Sequence, residues 1–162
     1  MMASGDKETF EKHKNILDTI ANKVFYLGEN GTAHSIKLAM NLQIAMLAIS
    51  LSEGITLARG ANVDPKVFLE ILNSTYFKTG MSENKAFKMI DDNFEPTFTL
   101  KNLKKDLATI NETADSLGIE LQLSSLAEKI YNKATKSGFG DLDYTGILAY
   151  LKQSTKSENI HN

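Results

Sequence analysis

A chain of 162 residues, 42% hydrophobic and 23% charged, has the composition of one ordinary globular domain, or of a domain carrying a fragment of another. A formal net charge of −2 leaves no basic field for nucleic acid or an anionic membrane surface, and the lack of cysteine excludes disulfides and thiolate chemistry. No two of the three histidines, His13, His34 and His161, stand at metal-ligand spacing, so no metal site is expected.

Met1-Met2-Ala3-Ser4-Gly5-Asp6 has neither a charged n-region nor an apolar core. No signal peptide is therefore expected, and the expected location is cytoplasmic. Ser4 or Asp6 can cap a first helix reaching about Ala21, with Phe10, Ile16, Leu17 and Ile20 as its apolar side. Lys23 to Leu27 reads as a short strand that ends at Gly28, and Gly28-Glu29-Asn30-Gly31 reads as a turn with Thr32 as the next N-cap. From Ala33 to Arg59 there is no proline and one glycine, Gly54, which predicts a helix of about 27 residues, roughly 40 Å long. It is apolar nearly all round, so it should be the centre of a bundle. Its most apolar run, Leu38 to Leu51, contains Asn41, Gln43 and Ser50; it is too short and too polar to cross a bilayer, and no membrane partner is expected.

Asp64-Pro65 opens the next helix, through Leu72, and Ser82 to Met89 predicts another. Asp91 to Thr99, with Pro96, is a loop. Leu100 to Leu117 is a strong amphipathic helix stopped by Gly118, and Leu123 to Lys136 is another stopped by Gly138. Asp141 is expected to cap a last helix from Leu142 to about Gln153, before a polar tail from Ser154 to Asn162. The expected fold class is all-α: a helical bundle around one long central helix, preceded by a short helix-strand remnant. A lone helix and strand cannot form a sheet, so residues 1–28 read as the end of a missing domain and residues 29–162 as a helical domain.

Chemistry concentrates at the start of the long helix. At 100° per residue, His34, Lys37, Asn41, Ala45, Ala48 and Ser52 fall within about 80° of one another, a narrow polar and small-residue stripe on an apolar rod. A lysine desolvated there can exchange a proton near neutral pH, Asn41 can orient a substrate oxygen, and the small residues leave room for something to approach. The alternative stays open: Lys37 near a helix start can snorkel to solvent, and Asn41 can be a satisfied core polar group. Lys105-Asp106, next to Leu103 and Leu107, is either a second functional pair or a solvated one. Helix termination alone accounts for Gly138-Phe139-Gly140-Asp141-Leu142-Asp143.

Taken together, four segments resemble the C-terminal part of the 3-hydroxyisobutyrate dehydrogenase (β-hydroxyacid dehydrogenase) family, which is related to 6-phosphogluconate dehydrogenase. They are Ser4 to Phe10; Gly28-x-x-Gly31 followed by Lys37 and Asn41; Phe98 followed by Lys105-Asp106-Leu107; and Gly138-Phe139-Gly140-Asp141-x-Asp143, in the family's order. The resemblance implies a nucleotide-binding (Rossmann) domain joined by a long helix to an all-helical domain that forms a homodimer or higher homo-oligomer. It implies NAD or NADP as cofactor and a small hydroxyacid or semialdehyde as substrate. Lys37 would be the catalytic lysine, Asn41, Phe98, Asp106 and Gly31 would bind substrate, and Lys105 would contact the cofactor. Met40 stands where many members have a second asparagine. The G-x-G-x-x-G fingerprint is absent, so the main cofactor-binding half is expected to lie outside this chain, which alone is expected to be inactive. A catalytically silent helical interaction module is the competing expectation.

Overall fold

The structure, a computed structural model, describes residues 1–158. The end of the expected polar tail, with His161, lies outside the described residues. Two compact units divide the chain after Met40.

The first unit corrects one expectation. Met2–Ala3 forms a strand, β1, which pairs in parallel with β2, Phe25–Tyr26, in the register Met2 with Phe25 and Ala3 with Tyr26. The helix α1, Lys7–Ile20, connects them, so this segment is a β-α-β unit and not a helix followed by a lone strand. Two residues carry no readable alternation; β1 is set by pairing with a strand more than twenty residues away. Asp6 caps α1 by accepting from the Thr9 amide at 2.7 Å, as capping chemistry requires. The Phe10 ring stacks on Tyr26 at 4.7 Å, and the Tyr26 hydroxyl donates to the Gly5 carbonyl at 2.7 Å. Ile16 and Ile20, expected on the apolar side of α1, are exposed.

The long helix α2 spans Thr32–Gly60, 29 residues. Thr32 does not cap it as expected. Its hydroxyl donates backward, to the Leu27 carbonyl at 2.6 Å and the Glu29 carbonyl at 2.8 Å, and so ties the helix to the preceding turn. Gly28 and Gly31 in that turn have φ of +83° and +94°, values that a side chain would strain.

In the second unit, α2 contributes Leu51 and Ile55 to a core shared with Leu69 of α3 (Pro65–Asn73), Ala86 and Met89 of α5 (Ala86–Ile90), Phe94, and Leu148 of α8 (Ile147–Glu158). Gly54 sits mid-helix because the Phe68 ring of α3 packs onto it: a Cβ there would stand 2.7 Å from Cζ. Asp64 and Pro65 open α3 as expected. The helix expected over Ser82 to Met89 is instead two, α4 (Gly80–Asn84) and α5, broken at Lys85. Thr79 and Ser82 form a reciprocal capping box that starts α4 two residues early.

The α6 helix, Leu100–Ser116, buries Leu100, Leu103, Leu107, Ile110 and Ala114, the stripe its 3.6-residue period predicts, and packs on α7, Gln122–Ala134. Gly118 at φ +69° stops α6, and Gly138 at φ +92° stops the single π turn that follows α7. The last helix also departs from expectation. Asp141 is exposed and pairs with Lys101, whereas Asp143 caps a short 3₁₀ turn, Tyr144–Gly146, ahead of α8. All-α architecture with a two-stranded sheet at its start is the observed fold class.

Candidate functional site

The stripe along α2 changes character as it runs. His34 and Lys37, in the first unit, are exposed, which removes the expected burial of Lys37 within this chain. Asn41 is half-buried, and Ala45, Ala48 and Ser52 are fully buried. The small residues are therefore filled against by the second unit's own packing, and the room they leave is not free for a ligand. Ser52 satisfies its hydroxyl within the helix, donating to the Ala48 carbonyl at 2.7 Å.

Asn41 does find a partner. Its Nδ2 donates to Asp106 Oδ2 at 2.6 Å, which brings together two of the expected site residues, 65 positions apart in sequence. The buried stripe of α6 makes this possible: Asp106 lies beside Leu103, Leu107 and Ile110, on the flank of the face that packs inward. With one amide hydrogen committed, Asn41 keeps Oδ1 and its second amide hydrogen to offer a ligand, a pairing suited to a hydroxyl or a carboxamide. Lys105, one position before Asp106, is exposed and offers its ammonium to solvent. These groups offer a ligand an exposed cation for anionic or polar oxygens and an oriented amide for a hydroxyl or carboxamide. At Gly28 and Gly31 nothing lies within 4 Å of where a Cβ would stand, so a ligand can approach that backbone directly. Among the described residues no group of three or more His, Asp or Glu could hold a metal ion.

Phe98 is half-buried in the loop before α6, its ring 6.2 Å from that of Tyr144. Beside it lies the one feature of the site that spacing did not single out. Asp143 is 2% exposed. Its carboxylate accepts from Lys85 Nζ at 2.9 and 3.0 Å, from the Thr97 amide at 3.1 Å and hydroxyl at 2.9 Å, and from the Thr145 amide at 3.2 Å and hydroxyl at 2.8 Å. Burial pushes the carboxyl up, but Lys85, Thr97 and Thr145 outweigh it and hold its pKa down to about 2. Tyr144, capped by the Lys85 ammonium 4.3 Å above its ring, is pushed up to about 12 by burial and by the Asp143 charge. The available signal was a second aspartate after Gly138-Phe139-Gly140. Its burial depends on Lys85, 58 positions away, which no local pattern carries.

A family model described as NAD-binding of NADP-dependent 3-hydroxyisobutyrate dehydrogenase matches residues 31–151. Glyoxylate/succinic semialdehyde reductase 2 of Arabidopsis thaliana is 29% identical over 157 residues, 97% of this chain and 44% of that protein. An L-threonate dehydrogenase of Pectobacterium atrosepticum is 28% identical, over 98% of this chain and 52% of that protein. The crystal structure of a 3-hydroxyisobutyrate dehydrogenase from Salmonella typhimurium superposes with a TM-score of 0.84 at 25% identity, covering 92% of this chain and 53% of that one. The chain thus spans about half the length of the relatives it matches.

Proposed function

The chain belongs to the 3-hydroxyisobutyrate dehydrogenase family, and on that premise we propose that it is the helical part of an NAD(P)-dependent oxidoreductase acting on a small β-hydroxyacid or its semialdehyde. The observation that carries this reading is the Asn41–Asp106 bond, since it joins two positions that the family resemblance assigns to substrate. Lys37, four residues before Asn41 on the same helix, takes the hydroxyl proton during oxidation and returns it to the carbonyl oxygen during reduction. The family resemblance assigns Asn41 to that oxygen, Gly31 and Phe98 to substrate binding, and Lys105 to the cofactor. The nicotinamide, when bound, carries the hydride.

In this reading a nucleotide-binding half is joined to the first unit. Support comes from an apolar groove of about 450 Å³ along Met1, Met2, Phe25, Leu27, Ile36 and Met40, a face that two strands of two residues leave uncovered. The same joining would cover Lys37 from water. The 162-residue chain alone should then bind NAD and NADP more weakly than about 100 μM, because one exposed cation and a few hydrogen bonds cannot offset the cost of immobilising a dinucleotide. Calorimetry giving a low-micromolar affinity would show that the main cofactor site lies within these residues.

We further propose a homodimer, with no membrane or nucleic-acid partner and a cytoplasmic location. By length and composition α2 could cross a membrane. Burial of Ala45, Ala48, Leu51 and Ile55 supports reading it as the spine of the second unit. Leu47 and Leu57 of the same helix stay exposed, at 37% and 75%, and a second copy would cover apolar surface of this kind. Light scattering should report a dimer; a monomer at high micromolar concentration would exclude it.

A further inference from the structure

Phe98 sits on no regular element. It belongs to the stretch between α5 and α6 that carries Pro96 and whose residues at 91–93 and 95–97 are exposed. Such a loop fixes a side chain only if something else fixes the loop. Phe94 anchors one end in the core and a Thr99–Asp143 backbone bridge the other; between them the side-chain hold is one carboxylate. Asp143 draws in Lys85 from the break between α4 and α5, the amide and hydroxyl of Thr97 from the loop, and both donors of Thr145 from the turn before α8. Its own amide donates to the Phe94 carbonyl at 2.9 Å, and the Tyr144 amide donates to the Phe98 carbonyl, also at 2.9 Å. Phe98 is therefore gripped on both sides, at Thr97 by the carboxylate and at its own carbonyl by the residue after Asp143. Packing alone does not require a charge here, because a buried ion pair replaced by apolar groups of similar volume often costs nothing. What a carboxylate adds is direction: two oxygens dictate where three separate segments must stand.

Resting on the dehydrogenase reading above, we propose that Asp143 is a positioning residue for the reaction, setting the 94–99 loop so that Phe98 meets the substrate. Asp143 touches no substrate itself. Its effect passes through Thr97 and Tyr144 to the Phe98 backbone.

The test is amide hydrogen exchange, read by NMR on the 162-residue chain, for the parent, Asp143→Asn and Lys85→Met. Exchange at Thr97 and Tyr144 should accelerate at least about tenfold more than at Leu107 and Ile110 in the core of α6, the mark of local release as opposed to general loosening. Acceleration by the same factor at all four positions makes Asp143 a general stabiliser and overturns the proposal. Unchanged protection at Thr97 and Tyr144 overturns it too. Should Asp143→Asn fail to fold, Thr97→Val takes its place: it removes the loop hydroxyl that Asp143 holds, and exchange at Tyr144 against Leu107 and Ile110 decides the question. In a form that turns over, Asp143→Asn should raise the hydroxyacid KM about tenfold at unchanged cofactor KM, and adding Phe98→Leu should worsen it by less than about twofold, since the two act on one contact. Full additivity overturns the positioning role and leaves the dehydrogenase reading standing. The exchange arm needs no substrate, so failure of the dehydrogenase reading would show separately, in the kinetics alone.

Discussion

Lys37→Ala, in a form joined to its nucleotide-binding half and turning over a small hydroxyacid, is expected to lose about 10²–10⁴-fold in kcat, the range for one acid–base side chain. Cofactor affinity should stay nearly unchanged. The lysine meets the reacting oxygen where charge develops, so its contribution appears in the transition state more than in binding. In the 162-residue chain Lys37 is exposed, and there its removal should shift stability by no more than about 0.5 kcal/mol; a thermal melt of the joined form separates a rate loss from unfolding. Lys37→Arg should not rescue, because a guanidinium does not release its proton at usable pH. Asn41→Ala should behave differently, lowering both substrate affinity and rate while freeing Asp106. Steady-state kinetics of the three variants decides the matter. If Lys37→Ala keeps more than about a tenth of the rate, Lys37 is not the proton-transfer group.

The contrast between Lys37 and Asp143 shows which parts of the site a sequence exposes. Periodicity carried α6 to its buried residues, because Leu100, Leu103, Leu107, Ile110 and Ala114 are all separated by three or four positions. Local stop and start chemistry was equally legible: Asp64-Pro65, Gly118 and Gly138 act through their own backbone angles and donors. Asn41 and Asp106 were each nameable by resemblance, yet their bond spans 65 positions and appears only in the fold. Misreadings came where local chemistry was ambiguous. Asp141 and Asp143 are both competent caps, and only burial distinguishes the exposed one from the one that Lys85 completes. Small residues on α2 could have meant space for a ligand or space for a neighbouring helix; full burial of Ala45 and Ala48 selects the second. A strand as short as Met2–Ala3 has no period at all, and its pairing partner defines it.

The largest expected change in stability follows from the same aspartate. Asp143→Asn keeps the side chain's size but removes the charge that Lys85, Thr97 and Thr145 converge on. The folded-state pKa is lowered from 3.8 to about 2, so the charged form is favoured by folding. A depressed carboxylate contributes stability that is fully present above the unfolded value and is lost as pH falls through the folded one. Over this interval the linkage amounts to roughly 2–3 kcal/mol at neutral pH, with the carboxylate buried well enough that solvent screening does not erase it. For a chain of this size that corresponds to a Tm lower by about 4–12 °C in the variant at pH 7. The pH dependence separates this cause from a simple packing defect. At pH 3, between the two pKa values, the gap between parent and variant should shrink to about half its neutral size, and near pH 2 it should almost close. A packing defect would persist at every pH. Thermal unfolding of both proteins from pH 7 down to the lowest pH at which both fold reversibly supplies the comparison. A gap that stays constant over that range would mean that the lowered carboxylate does not hold the 94–99 loop to the turn before α8, and that Asp143 contributes through shape alone.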